Sequence, residues 1–292
     1  MTMIASVGPD IPLELLTATG RYVGPLGWNI DRDFPVASQW LESKFPCWAV
    51  SIAEDWATGA FDHLDTVVFS RGDDSAQRLY YYLCELRGRG LVAGPEPVIF
   101  DVARIGRPSS EARCVDSVRA LAARLGVGDA ALEAAIAARA FPEVRFAKGG
   151  RVCLLGGTPP PDDRLHVAIG AVGWRFEGAT LAETWLSGGP GAEAGTGDPC
   201  AALGQRLHAA LGGPRGFHDR AADAVAHALA IEARAAVLWY AEEDEAEIWH
   251  LPAQRAALQA AGLPVLILTR RDWRANDGAT DEIAAFLTGL AS

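Results

Sequence analysis

Side chains able to ligate a metal or carry acid–base chemistry are spread along this chain and do not gather into a familiar motif. Five cysteines stand at 47, 84, 114, 153 and 200. Their number is odd, their spacings are wide and no CxxC occurs, so neither a disulfide framework nor a metal site is expected. Cys84, Cys114 and Cys153 read as small buried apolar residues. The six histidines are scattered, and none pairs with another at the i, i+4 spacing of a metal-binding helix face. There is no Walker A pattern, no GxGxxG opening a helix after the first strand, no GxSxG elbow and no HExxH. Two acidic clusters, Asp73-Asp74 and Glu242-Glu243-Asp244-Glu245, each follow an expected strand directly. Acids at a helix N-terminus are favoured by the helix dipole, which accounts for them without function. Ligands of open α/β sheets, however, bind beyond the carboxyl ends of strands, so the same residues are candidate site positions. The run from Leu155 through Gly156-Gly157-Thr158 to Pro161 also follows a strand. Its prolines spoil a phosphate cradle, and it reads as a structural turn, with a tight turn over a ligand as the alternative.

These positions need elements to hold them. Near-continuous apolar runs at 65–70, 97–100, 151–155, 236–240 and 264–268 read as strands buried on both faces. Between them, amphipathic or Ala-rich stretches at 75–87, 110–125, 129–139, 199–211, 220–234 and 252–261 read as helices, the last stopped by Gly262. Alternation of this kind predicts an α/β fold of two Rossmann-like, doubly wound parallel-sheet domains with a cleft between them. The break is expected in the Gly-bearing connection 141–150, giving an N-terminal α/β domain over 1–146 and a C-terminal one over 147–292. The Gly-rich stretch 188–197 reads as a loop inside the second half. No internal repeat is evident from residue identity.

Bulk properties narrow the class. The 292 residues are half apolar and 22% charged, ordinary for a globular chain. A net charge of −11 argues against a nucleic-acid surface. The first residues carry no basic segment followed by a long apolar run, and no stretch approaches ~18 uninterrupted apolar residues. No signal peptide, no membrane association and a cytoplasmic location are expected.

Six segments, in order, resemble the 2-hydroxyacyl-CoA dehydratase / benzoyl-CoA reductase family. Ile11-Pro12-Leu13-Glu14-Leu15-Leu16-Thr17-Ala18-Thr19-Gly20 resembles its opening P-x-E-L-L-x-A-x-G, and Phe45-Pro46-Cys47-Trp48-Ala49 resembles the surroundings of its first cluster cysteine. Asp65-Thr66-Val67-Val68-Phe69-Ser70 through Asp73 to Arg78-Leu79 resembles D-x-V-V-F-x-x-x-C-D-x-x-R-x-L. The helical pair 110–139, the segment Leu258 to Leu266 with its Gly262-Leu263-Pro264, and residues 282–287 complete the set. The resemblance implies an iron–sulfur cluster held by three cysteines between two domains, and enzymes built from pairs of homologous subunits. It also implies a separate ATP-dependent activator that delivers one low-potential electron to a CoA thioester.

The departure from that pattern is in the ligands. Of the three cluster-equivalent positions, only Cys47 keeps a thiol; the second falls on Asp73 and the third within Glu242–Glu245, nearest Asp244. Thiolates are the usual ligands of such clusters, and carboxylates suit harder cations. Cys84 is about 15 Å along its helix from Asp73 at a helical rise of ~1.5 Å per residue, and Cys200 follows a loop that could swing towards the cleft. No directly bound cofactor is expected; an Fe–S cluster is expected on a partner subunit. Three functions follow. The first is a clusterless subunit of an acyl-CoA dehydratase (a lyase) or reductase heteromer, paired with an Fe–S-bearing homologue and contributing to the acyl-CoA site. The second is a repurposed stand-alone enzyme or binding protein using the cleft without electron transfer. The third is a structural partner whose cleft is plugged, with Arg71 paired to the acids. Arg71, Glu243 and Trp48 are expected beside Cys47, Asp73 and Asp244 in the cleft. Trp48 and Trp239 are either cluster-space fillers or ordinary core.

Overall fold

The apolar runs fold as parallel strands separated by helices. The structure, a computed structural model, describes residues 3–139, 150–187, 189–210 and 218–290. In chain order the elements are β1 (Ile4–Val7), α1 (Leu13–Ala18), β2 (Tyr22–Pro25), α2 (Cys47–Ala57), β3 (Thr66–Ser70), α3 (Asp74–Gly88), β4 (Glu96–Phe100), α4 (Pro108–Leu125), α5 (Asp129–Ala138), β5 (Val152–Gly157), α6 (Arg164–Ala171), β6 (Arg175–Glu177), α7 (Leu181–Ser187), α8 (Pro199–Ala209), α9 (Arg220–Ala230), β7 (Ala235–Ala241), α10 (Leu251–Ala260), β8 (Val265–Arg271) and α11 (Ala279–Gly289). Short 3-10 turns lie at Ala37–Gln39 and Glu247–His250.

The chain forms two units. The first comprises Met1–Glu143 and Trp185–His218, the second Val144–Thr184 and Asp219–Ser292. This differs from the expected continuous halves, 1–146 and 147–292. The segment 185–218, including the Gly-rich loop, belongs with the first unit. The physical reason is the apolar stripe of α8. Cys200, Leu203 and Leu207 are buried in one cluster with Val118, Leu121 and Leu125 of α4 and Leu132 and Ile136 of α5. The stripe was visible in sequence, but the surface it covers was not.

In the first unit the strand order is β2-β1-β3-β4, all parallel. Ile4, Val68, Val98 and Phe100 face α1, α4, α5 and α8. Phe69 points to the other face, its ring 6.1 Å from Trp56 of α2 and 5.9 Å from Tyr80 of α3. In the second unit the order is β6-β5-β7-β8, again all parallel. Val152, Leu154, Ala236, Leu238 and Tyr240 pack on Ala228 and Ile231 at α9 and Leu258 of α10. The helices α6 and α11 pack against each other and bury Leu165, Ile169, Ile283 and Leu287. Numbered within each unit, both sheets run 2-1-3-4. The chain therefore contains one topology twice, a repeat that residue identity does not reveal.

Three strands were not legible. β1 is short, though wholly buried. β2 and β6 are short edge strands with no fully buried residue, so neither carries an apolar run. The helix expected over 220–234 ends at Ala230, because Glu232 takes a left-handed conformation (φ 55°) and the chain must turn into β7. Gly262, at φ 83°, sits one residue past the α10 cap, where a left-handed residue closes a helix.

The α4–α8 contact gives a prediction. A Cβ on Gly204 would lie 2.6 Å from the backbone Cα of Val115. Gly→Ala inside a helix ordinarily gains about 1 kcal/mol, whereas overpacking against unyielding backbone costs about 1–3 kcal/mol. Gly204→Ala is therefore expected to lower the urea midpoint of the chain, against the helix-propensity trend.

Candidate functional site

A 2-1-3-4 order fixes where a site can form. The connection after the first strand leads to one side, and the third strand lies on the other, so the loops after strands one and three diverge at the carboxyl end of the sheet. In the first unit those loops follow β1 and β3, and in the second they follow β5 and β7.

The first unit's switch point is tightly filled. Gly8 (φ 94°) brings its backbone so close to Ser70 that a Cβ there would lie 2.8 Å from that of Ser70. A Cβ on Gly72 would be 2.7 Å from Asp10 Oδ2. Asp10 itself has φ 60° and is ion-paired to Arg104 at 2.5 Å, both side chains largely buried. The Ser70 hydroxyl accepts from the Gly72 N–H at 2.9 Å. Asp73 is the N-cap of α3, its Oδ1 accepting from the Ala76 N–H at 2.7 Å.

Cys47 is the first residue of α2, after Pro46, and is half-buried. The segment before it is held on α3. Arg78 stacks 4.2 Å over the Phe45 ring, Tyr82 meets that ring edge-on at 5.3 Å, and the Tyr82 hydroxyl donates to Glu42 at 3.0 Å. The loop that ends at Cys47 is thus pinned to the helix that Asp73 caps. Trp48 is buried in a trio, its ring 5.1 Å from Trp185 and 6.0 Å from Trp28. It is core, as is Trp239 on β7. Arg71 pairs with Asp101 at 2.8 Å, its N–H donating to the Phe100 carbonyl. This ion pair lies within the first unit.

In the second unit, Glu243 and Asp244 are brought together with residues the sequence did not single out. The Thr158 hydroxyl, buried, donates to Asp244 Oδ2 at 2.7 Å and accepts from the Ala241 N–H at 3.2 Å. The Trp273 indole N–H donates to Glu243 Oε2 at 2.6 Å. Glu247 pairs with Arg220 at 2.5 Å. Burial is the largest influence on Asp244 and raises its pKa, with Glu247 adding repulsion and the Thr158 hydrogen bond opposing. Burial likewise raises Glu243, against the Trp273 bond. Gly157, the last residue of β5, holds φ 92° where a Cβ would strike the Trp239 carbonyl at 2.1 Å. The only sequence signal for Thr158 was its place after a strand, in a segment read as a turn.

Asp73 and Asp244 occupy corresponding places in the two units. The Arg71 N–H donates to the Phe100 carbonyl, and the Glu242 N–H donates to the Arg271 carbonyl at 3.0 Å. Asp73 and Asp244 each follow two residues later. Each also turns a carboxylate oxygen to the N–H three residues on, Ala76 at 2.7 Å and Glu247 at 3.5 Å. Val7 and Gly157 are the last residues of β1 and β5 paired to the third strand, and Gly8, which follows Val7, carries no hydroxyl to match that of Thr158.

The remaining thiols lie elsewhere. Cys114 exchanges hydrogen bonds with the Ala103 backbone, and Cys153, buried on β5, has its pKa pushed up to about 12 by burial. Cys200 is fixed in the α4–α8 core, so the expected swing of this residue is corrected. Cys84, read as buried, is only half-buried. One thiol and two carboxylates already serving as hydrogen-bond acceptors do not fit a 4Fe–4S cluster. Among the described residues, no three His, Cys, Asp or Glu side chains are grouped to hold a metal ion, and no helix is long and apolar enough to cross a membrane.

No family model matches the chain, and no curated protein matches it significantly.

Two substitutions test these roles. Asp73→Ala removes a cap and is expected to cost about 1 kcal/mol in urea denaturation, with Asp73→Ser close to neutral. Thr158→Val leaves the Asp244 carboxylate and the Ala241 N–H without their partner and is expected to cost about 1–3 kcal/mol by the same measurement.

Proposed function

We propose that this chain is a clusterless subunit of a 2-hydroxyacyl-CoA dehydratase or benzoyl-CoA reductase-type heteromer. In this reading a homologous partner carries the Fe–S cluster and receives the electron from an ATP-dependent activator. This chain supplies scaffold and part of the acyl-CoA site, in a cleft of the kind that the resemblance implies. The observation that carries the reading is the correspondence of Asp73 and Asp244. Two positions selected through the resemblance, far apart in sequence, fall at the same register beyond the third strand of two sheets of one topology. The pinning of the Cys47 segment on α3 adds support. By the resemblance the acids take the place of the family's thiolates, and both are engaged locally, as expected of a subunit that leaves electron transfer to its partner.

A second reading is favoured by one observation. Two carboxyls with raised pKa at a switch point suit proton transfer to a carbonyl without any redox centre. The chain would then act alone on its own substrate.

The test has two parts. The purified chain, treated anaerobically with iron and sulfide, is expected to gain neither cluster absorption nor stoichiometric iron, and iron at cluster stoichiometry would sink the proposal. Tagged chain recovered from its host is expected to bring down a homologue with cysteines at the positions of Asp73 and Asp244. Turnover of an acyl-CoA by the isolated monomer would replace the first reading with the second.

A further inference from the structure

The segment between β7 and α10 crosses the carboxyl end of the second sheet and is strongly acidic. Glu242, Glu243, Asp244, Glu245 and Glu247 fall within six residues. Four of them are tied to four different parts of the unit. Asp244 accepts from Thr158 in the loop after β5, and Glu243 from Trp273 beyond β8. Glu247 pairs with Arg220 at the start of α9, and Glu242 with Arg270 of β8 at 3.0 Å. These ties are unequal. Arg270 and Glu242 are 77% and 58% exposed, so solvent screens that pair to little value. Thr158 and Trp273 are buried, and the Arg220 and Glu247 side chains are 12% and 17% exposed. The hold on the segment therefore rests on groups that are mostly out of water.

The charges around the two half-buried carboxyls are lopsided. Asp244 faces Glu247 and the Tyr240 hydroxyl, with Arg220 as the cation acting on it. Glu243 faces Glu242 and Asp272, and its recorded side-chain donor is the neutral Trp273 indole. Arg271, the next cation along, is paired with Glu282 and Asp277. A neutral carboxyl keeps the acceptor that Thr158 or Trp273 needs without placing a charge where the segment has taken away part of its hydration. An ionised one keeps the same bond but loses hydration, and it adds to the repulsion among acids. Opening the segment restores water to both carboxylates.

We propose that Glu242–His250 is a latch over the carboxyl end of the second sheet, closed while the Glu243 and Asp244 carboxyls are neutral and loosened when they ionise. The direction follows from linkage. A carboxyl whose pKa is raised by closure binds its proton more tightly in the closed form. Falling pH therefore favours closure through the interval between the raised value and the ordinary carboxylate value, and rising pH favours release. The latch is itself the loop after β7 and is tied to the loop after β5, and these two loops bound the switch point. The latch would thus gate that end of the sheet whether the chain works alone or in a heteromer.

Hydrogen exchange measured by mass spectrometry on the full chain reads the latch directly. Protection of peptides covering 242–250, corrected for the intrinsic pH dependence of exchange, is expected to fall as pH rises from the carboxylate range to neutrality. The opening equilibrium should change on the order of tenfold. The E243Q/D244N double variant is expected to stay protected across the range, and the single variant D244N to show part of that effect if the double variant folds poorly. Glu245→Gln, at an exposed position, should leave the profile as in the parent. Corrected protection that does not vary with pH, or a D244N variant that titrates as the parent does, overturns the proposal.

Discussion

Each half of this molecule depends on a central parallel strand buried on both faces. All seven residues of β7 are buried, and β3 is buried in four of its five. A strand in that position has no water for its backbone, so its N–H and C=O groups must be paired along both edges. Here the neighbours on both edges are parallel. Parallel neighbours cannot be joined by a tight turn. They need crossovers, which become the helices that cover the two faces. The 2-1-3-4 order then divides the connections at the third strand, and both units acquire a switch point in the same place.

What occupies those two places differs, and the difference is chemical. In the first unit, small residues let the loops collapse on one another, and the Asp10–Arg104 pair fills the remaining space. In the second unit a hydroxyl from buried Thr158 and an indole N–H from buried Trp273 hold two half-buried carboxyls. Asp73 caps α3, and Asp244 accepts from the Glu247 N–H at 3.5 Å ahead of a 3-10 turn whose cap residue is Ala246. A local backbone donor alone thus explains why an acid is tolerated at either site. It does not explain why the second unit also surrounds its acids with buried donors and further acids. That excess suits a device that responds to protonation.

The tryptophans follow the same logic of local packing. Trp28, Trp48 and Trp185 share one cluster, with rings 5.1–6.0 Å apart, at the start of the helix that Cys47 opens. Trp185 comes from the segment that returns to the first unit, so the surroundings of Cys47 are completed by residues more than a hundred positions away.

The sequence alone determined the α/β class, the parallel sheets and the helices α3, α4, α5, α8, α9 and α10, but not α1, α2, α6, α7 or α11, because long apolar runs and helical stripes are local signals of burial. It also marked Asp73, Glu243 and Asp244 as lying just past strands. Short elements escaped it: β1, β2 and β6 are too brief to show a period, and their pairing comes from neighbours distant in the chain. The return of 185–218 to the first unit, the correspondence of Asp73 with Asp244, and the partnership of Thr158 and Trp273 with the acids were decided by tertiary structure. The first depends on the helices that the α8 stripe covers; the others depend on which strand lies beside which, and a parallel sheet sets that through crossovers rather than through adjacent residues.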